Sequence, residues 1–191
     1  MKTMYARKIN QKGFTLVEIA IVLVIIGLLI GGVLKGQAMV QNAKVKKVVK
    51  TADELRAATM TFYDKYGMYP GDENQATPPN DTFNGNGNGQ IDNAERFELF
   101  RDLSLGGLIS GTYTGTQAPT HPFGNIVDIV WVNPPGASTP AAHYIRYFNL
   151  PADVCLEIDT KYDDGNWQAG SIVGSAAYTP GTNIATFYML F

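Results

Sequence analysis

The chain predicts an α+β fold: a long N-terminal α-helix, transmembrane in its first part and amphipathic in its second, packed on an antiparallel β-sheet. Three observations carry this. Residues 14–34 form an apolar block holding a single charge, Glu18. Val45, Val48, Val49, Ala52, Leu55, Thr59, Phe62 and Tyr66 then recur at three- and four-residue spacing, one stripe along a helix. Beyond residue 120 the chain changes to short apolar and aromatic runs between Gly-, Pro- and Asn-rich turns, the pattern of paired strands.

The elements follow in order. Residues 1–13 carry Lys2, Arg7, Lys8 and Lys12 and no acid. The block 14–34 rises about 31 Å as a helix, close to the roughly 30 Å hydrocarbon core of a bilayer. Residues 35–50 carry Lys35, Lys44, Lys46, Lys47 and Lys50, again without an acid, as a solvated or headgroup-facing flank. The helix continues as its amphipathic half over 35–66, and Gly67 supplies a stop. Residues 67–191 form a β-rich head that opens with an Asn/Gly-rich loop, 72–95. A short helix is expected over 94–105, with Phe97, Phe100 and Leu103 or Leu105 facing inward. Strands are expected at 126–132, 143–150, 154–160, 167–173 and 184–191, with Asp163–Asn166 as a hairpin turn and Asn133–Pro140 as a surface loop. Cys155, between Val154 and Leu156, reads as a buried thiol, and a lone cysteine excludes an intramolecular disulfide.

The net charge of −2 hides an uneven distribution: from Gly67 onward, thirteen acids face four bases. Such a head repels nucleic acid and attracts cations, so no direct nucleic-acid partner is expected.

Residues 1–38 allow three readings. A secretory signal fits the basic start, but its apolar region spans 7–15 residues, and this one is longer and contains Glu18. A plain membrane anchor fits the length and leaves Glu18 unexplained, and lysines on both sides give no orientation. The third reading is a resemblance. Lys12-Gly13 followed by Phe14, Thr15, Leu16 and Glu18 and then an apolar run resembles the class III leader of type IV prepilins and type II secretion pseudopilins. The resemblance implies the pilin fold. It also implies removal of residues 1–13 by a prepilin peptidase between Gly13 and Phe14, N-methylation of Phe14, and pairing of Glu18 with the Phe14 amine of a neighbouring subunit. The proline that many type IV pilins carry late in the apolar segment is missing; Gly27, Gly31, Gly32 and Gly36 stand in that region.

Within the acidic head, residues 84–95 follow the spacing of an EF-hand calcium loop, D-x-[DN]-x-[DN]-G-x5-E. Asn84, Asn86 and Asn88 take the first three ligand positions and Gly89 the sharp turn. Gln90 offers its carbonyl, Asp92 a direct or water-mediated ligand, and Glu95 the bidentate closer. Ca2+ suits such oxygen donors. Asn stands where the first Asp is expected, no entering helix follows Pro78-Pro79, and Asp81 adds charge from just outside, so the expected affinity is that of extracellular modules, about 10⁻⁴–10⁻³ M. Asp159, Asp163 and Asp164 read as turn chemistry.

No catalytic constellation is present in the sequence. His121 and His143 lack the spacing of a metal pair or of a nucleophile's base, and Gly170–Ser175 is no nucleophile elbow. The expectation is a non-enzymatic structural subunit. It forms a helical homopolymer, a type IV pilus or related surface filament, through its N-terminal helix. It starts as an inner-membrane precursor and meets the prepilin peptidase and the assembly machinery there. A pseudopilin of the type II secretion system, in a periplasmic filament, is the alternative. A monomeric membrane-anchored calcium module is the third reading, and it predicts neither processing nor polymer.

Overall fold

The computed structural model describes Gly13, residues 15–75, Pro78 and residues 81–191. The remaining leader residues and Phe14 lie outside the described residues. The chain divides into two compact units, Met1–Asn42 and Ala43–Phe191.

Helix α1 spans Leu16–Tyr66 and runs unbroken across Gly27, Gly31, Gly32 and Gly36. Every side chain from 15 to 42 is exposed. Its first part is long and apolar enough to cross a membrane. The helix ends where expected, because Gly67 takes φ +77°, a left-handed conformation that costs glycine little.

In the second unit, α1 buries Val45, Val48, Ala52, Leu55, Ala58, Thr59 and Phe62, the stripe the spacing predicts. These side chains share a core with a four-stranded antiparallel sheet, β1 (Val127–Val132), β2 (Ala142–Pro151), β3 (Ile172–Gly174) and β4 (Asn183–Leu190), in the order β1-β2-β4-β3. Register places Val127 opposite Tyr147 and Tyr147 opposite Phe187, so one face presents Ile129, Ile145, Tyr147, Phe187 and Met189 to the core. The Tyr147 hydroxyl donates to the Val48 carbonyl at 2.7 Å, and Arg56 donates to the Leu190 carbonyl at 2.6 Å. The opposite face buries Tyr144, Val173 and Tyr188 under Ala137 of the 133–140 loop.

Two expectations are corrected. Residues 154–160 are not a strand but belong to helix α3 (Ala152–Tyr162). Val154, Leu156 and Ile158 alternate like a strand, yet the buried set is Ala152, Val154, Cys155, Ile158 and Asp159, which recur at three- and four-residue spacing, and Leu156 is exposed. Pro151 caps the helix start, and Asp153 in the first turn and Lys161 in the last suit the helix dipole. Asp163–Asn166 therefore leaves a helix rather than closing a hairpin, and the strand expected at 167–173 contracts to β3. Cys155 is buried, and burial raises its thiol well above the ordinary value.

The second correction is smaller. Helix α2 covers Glu98–Leu105, with residues 93–97 in turns. Leu99, Phe100 and Leu103 face inward, while Phe97 is half-buried and Leu105 exposed. Gly71 lets α2 approach: it sits at φ +82°, and a Cβ there would lie 2.8 Å from the Glu95 carbonyl and 2.9 Å from the Leu99 nitrogen.

Candidate functional site: the helix start and the acidic head loop

The first residues of α1 form a capping box. The Thr15 hydroxyl accepts from the Glu18 N–H at 3.2 Å, and Glu18 Oε2 accepts from the Thr15 N–H at 2.8 Å and from its hydroxyl at 2.9 Å. Glu18 thus has a local role at the helix start. Beyond it, an apolar surface without cover extends along α1, with Leu16 90% and Leu28 73% exposed.

The loop 72–95 is organised around two buried carboxylates. Asp72 accepts from the Asn88 N–H at 3.0 Å through Oδ1 and from the Gly89 N–H at 2.7 Å through Oδ2. Glu95 accepts from the Asn86 N–H through Oε1 and from the Asp92 N–H through Oε2, both at 3.0 Å. Burial raises the Glu95 carboxyl, and these two N–H bonds oppose the rise.

Of the residues at calcium-loop spacing, Asn86, Asp92 and Glu95 come together, the Asn86 amide donating to Asp92 Oδ2 at 3.2 Å. Asn88 turns toward Asp72, and its side-chain oxygen accepts from the Gln90 N–H at 2.7 Å. Asn84, Asn86 and Asn88 are exposed and Gln90 is half-buried. Among the described residues, these hydrogen bonds hold the 84–95 stretch in shape. Asp72 lies outside the motif window, and spacing gave no sign of it.

Three further groups are assembled by the fold and not by any spacing in the sequence. The first is a buried ion pair. Arg146 donates to both oxygens of Asp128 at 2.8 Å, reaches Asn93 at 3.3 Å, and shares Asp128 with Arg96 at 3.6 Å. It ties β1 and β2, where Asp128 and Arg146 stand opposite, to the end of the loop.

The second is His143. Its Nε2 accepts from the Ile91 N–H at 3.0 Å, and its ring packs against Tyr69, Trp131 and Phe191. Burial pulls this histidine down to about 4. A depressed value means the fold selects the neutral ring. The contribution is full above the ordinary value of 6.5 and is lost as pH falls from there toward 4. Protonation also removes the acceptor for Ile91. Between pH 7 and 4.5 the parent is expected to lose about 2 kcal/mol more stability than His143→Gln, after allowing for the ring's residual solvent contact. Melting temperatures of the two proteins across that range check this; parallel profiles contradict it. His121 is structural as well, with Nε2 2.8 Å from the Phe148 carbonyl and Nδ1 accepting from the Phe123 N–H.

The third is an acidic trio, Glu73, Asp81 and Asp102, buried between the loop and α2. Burial first, and the neighbouring Asp81 next, push Glu73 up to about 8; burial pushes Asp102 up to about 7. By contrast, the turn acids are satisfied by local donors. Asp159 accepts from the Gly165 N–H at 2.9 Å and the Tyr178 hydroxyl at 2.7 Å, and Asp163 accepts from the Ser171 and Ile172 N–H groups at 2.6 and 2.8 Å.

No curated protein and no solved structure matches the chain. Residues 8–34 match a family model described as the prokaryotic N-terminal methylation motif. The matched residues are part of the leader and the apolar stretch of α1. They agree with the resemblance in the sequence, they fit a membrane-inserted precursor with a structural rather than enzymatic role, and they support a type IV pilin-like or pseudopilin protein.

Proposed function

We propose that this chain is the structural subunit of a type IV pilus or pilus-like surface filament. A prepilin peptidase removes residues 1–13 at the cytoplasmic face of the inner membrane, and the Phe14 amine is methylated. The observation that carries the reading is the uncovered apolar stretch of α1 directly after the methylation motif, headed by a carboxylate. A surface of that extent needs cover. Lipid supplies it before assembly, and the same stretch of neighbouring subunits supplies it in a filament.

Glu18 lies four residues from Phe14, about one helical turn. After cleavage the Phe14 amine is cationic, and an intramembrane carboxylate marks a functional position with a partner. Pairing Glu18 with the amine of an adjacent subunit satisfies both charges and fixes the axial step between subunits. The acidic head faces solvent and contributes no nucleic-acid contact.

Mechanical shearing of producing cells tests the reading. A surface filament releases the processed chain into the sheared supernatant as a sedimentable polymer. Processed chain found only in the envelope assigns it to a periplasmic pseudopilus instead. An unprocessed, non-sedimenting chain overturns both and leaves the anchored monomer.

A further inference from the structure

Glu73, Asp81 and Asp102 each bring a carboxylate oxygen to within 4.8 Å of the others, and their exposures are 0%, 7% and 0%. The three share one arrangement. One oxygen of each is tied down: Glu73 Oε2 accepts from the Gln75 N–H at 3.1 Å, Asp102 Oδ2 from the Gly71 N–H at 2.5 Å, and Asp81 Oδ1 from the Thr82 N–H at 2.8 Å and from the Arg101 guanidinium. The other oxygen of each, Glu73 Oε1, Asp81 Oδ2 and Asp102 Oδ1, is buried and meets no donor among the described residues.

A buried acceptor left without a partner costs about 1–3 kcal/mol, more when charged. Three buried carboxylates, each with one such oxygen, offer a common partner one site. Arg101 does not serve all of them, because it is divided between Asp81 and Glu98, the latter at 3.1 Å.

We propose that Glu73, Asp81 and Asp102 bind one calcium ion through their three carboxylates. All donors are hard oxygens, the kind that calcium and magnesium take. Calcium accepts irregular sets of about 6–8 oxygens, whereas magnesium demands near-octahedral geometry and dehydrates reluctantly, so a buried cluster of three carboxylates suits calcium. The backbone N–H groups on the opposite oxygens orient the ligands as outer partners do in metal sites.

The ion joins the start of the 72–95 loop at Glu73, its middle at Asp81, and α2 at Asp102. It acts as a clamp on the head, filled at the calcium concentrations met outside the cytoplasm. This site is distinct from the calcium-loop spacing of residues 84–95, where the oxygens of Asn86, Asn88 and Glu95 already accept loop N–H groups. The assignment stands whether or not the chain forms a filament.

Equilibrium dialysis against radioactive calcium and thermal melting in EDTA or 5 mM CaCl2 test it, using the full chain in detergent. One ion is expected to bind with a Kd of about 10⁻⁴ M and to raise the melting temperature by about 5–9 °C. Glu73→Gln and Asp102→Asn abolish binding and the shift, while Asp92→Asn keeps both. Each neutral variant adds no charge to the cluster and retains an acceptor for the N–H group that its parent residue holds. In EDTA both therefore melt at or above the parent, which separates lost binding from lost folding. Absence of bound calcium in the parent at 5 mM, binding that survives in Glu73→Gln and Asp102→Asn, or binding lost in Asp92→Asn overturns the site. An equal shift with 5 mM MgCl2 overturns the assignment to calcium.

Discussion

Glu18→Ala, produced in place of the parent chain, is expected to be processed normally and to leave on the order of 100-fold less sheared polymer. A carboxylate at the centre of a membrane span costs about 2.5–3.5 kcal/mol, and an unpaired amine in a filament core carries a cost of the same order. The alanine variant also dismantles the Thr15–Glu18 capping box, so Glu18→Gln is the sharper experiment. Glutamine at this position preserves the capping box and removes only the charge. Loss of polymer in both variants assigns the effect to the charge. Normal polymer from Glu18→Gln with loss in Glu18→Ala reduces Glu18 to a cap and removes its role in setting register.

The second large effect lies in the head. Arg146→Met leaves Asp128 without its bidentate partner, its side chain fully buried and only Arg96 within reach. Breaking a buried pair on one side costs about 3–5 kcal/mol, which for a chain of this size lowers the melting temperature by roughly 6–20 °C. Replacing both partners, as Asp128→Leu with Arg146→Met, recovers most of the loss, because removing a buried pair altogether is often neutral. Thermal melting of the two variants and the parent measures this. A single variant within about 1 kcal/mol of the parent would mean that the pair does not hold the sheet to the loop.

The parts legible in the sequence were those written in a local period. Val45 through Phe62 repeat at helical spacing, Gly67 ends the helix, and β1, β2 and β4 are β-branched and aromatic runs between turns. Helix α3 was misread because Val154, Leu156 and Ile158 also satisfy a two-residue period. What separates the readings is which face meets the core, and that is set by β2 and β4 rather than by the segment itself. The leader and Glu18 were legible for a different reason, since a methylation motif is contiguous.

The head's charged groups were not legible in that way. Glu73 and Asp81 lie in one loop, but Asp102 joins them only in the fold, where Gly71 lets α2 close on that loop. Asp128 and Arg146 meet through strand register, which no local pattern encodes. The calcium-loop window contained Glu95 but not Asp72, the second carboxylate around which the loop folds.

The central claim is that the chain is a processed filament subunit, and intact mass with N-terminal sequencing of the sheared surface fraction tests it most directly. A chain that begins at N-methylated Phe14, present as polymer, is the predicted result. A chain that still begins at Met1 would contradict it.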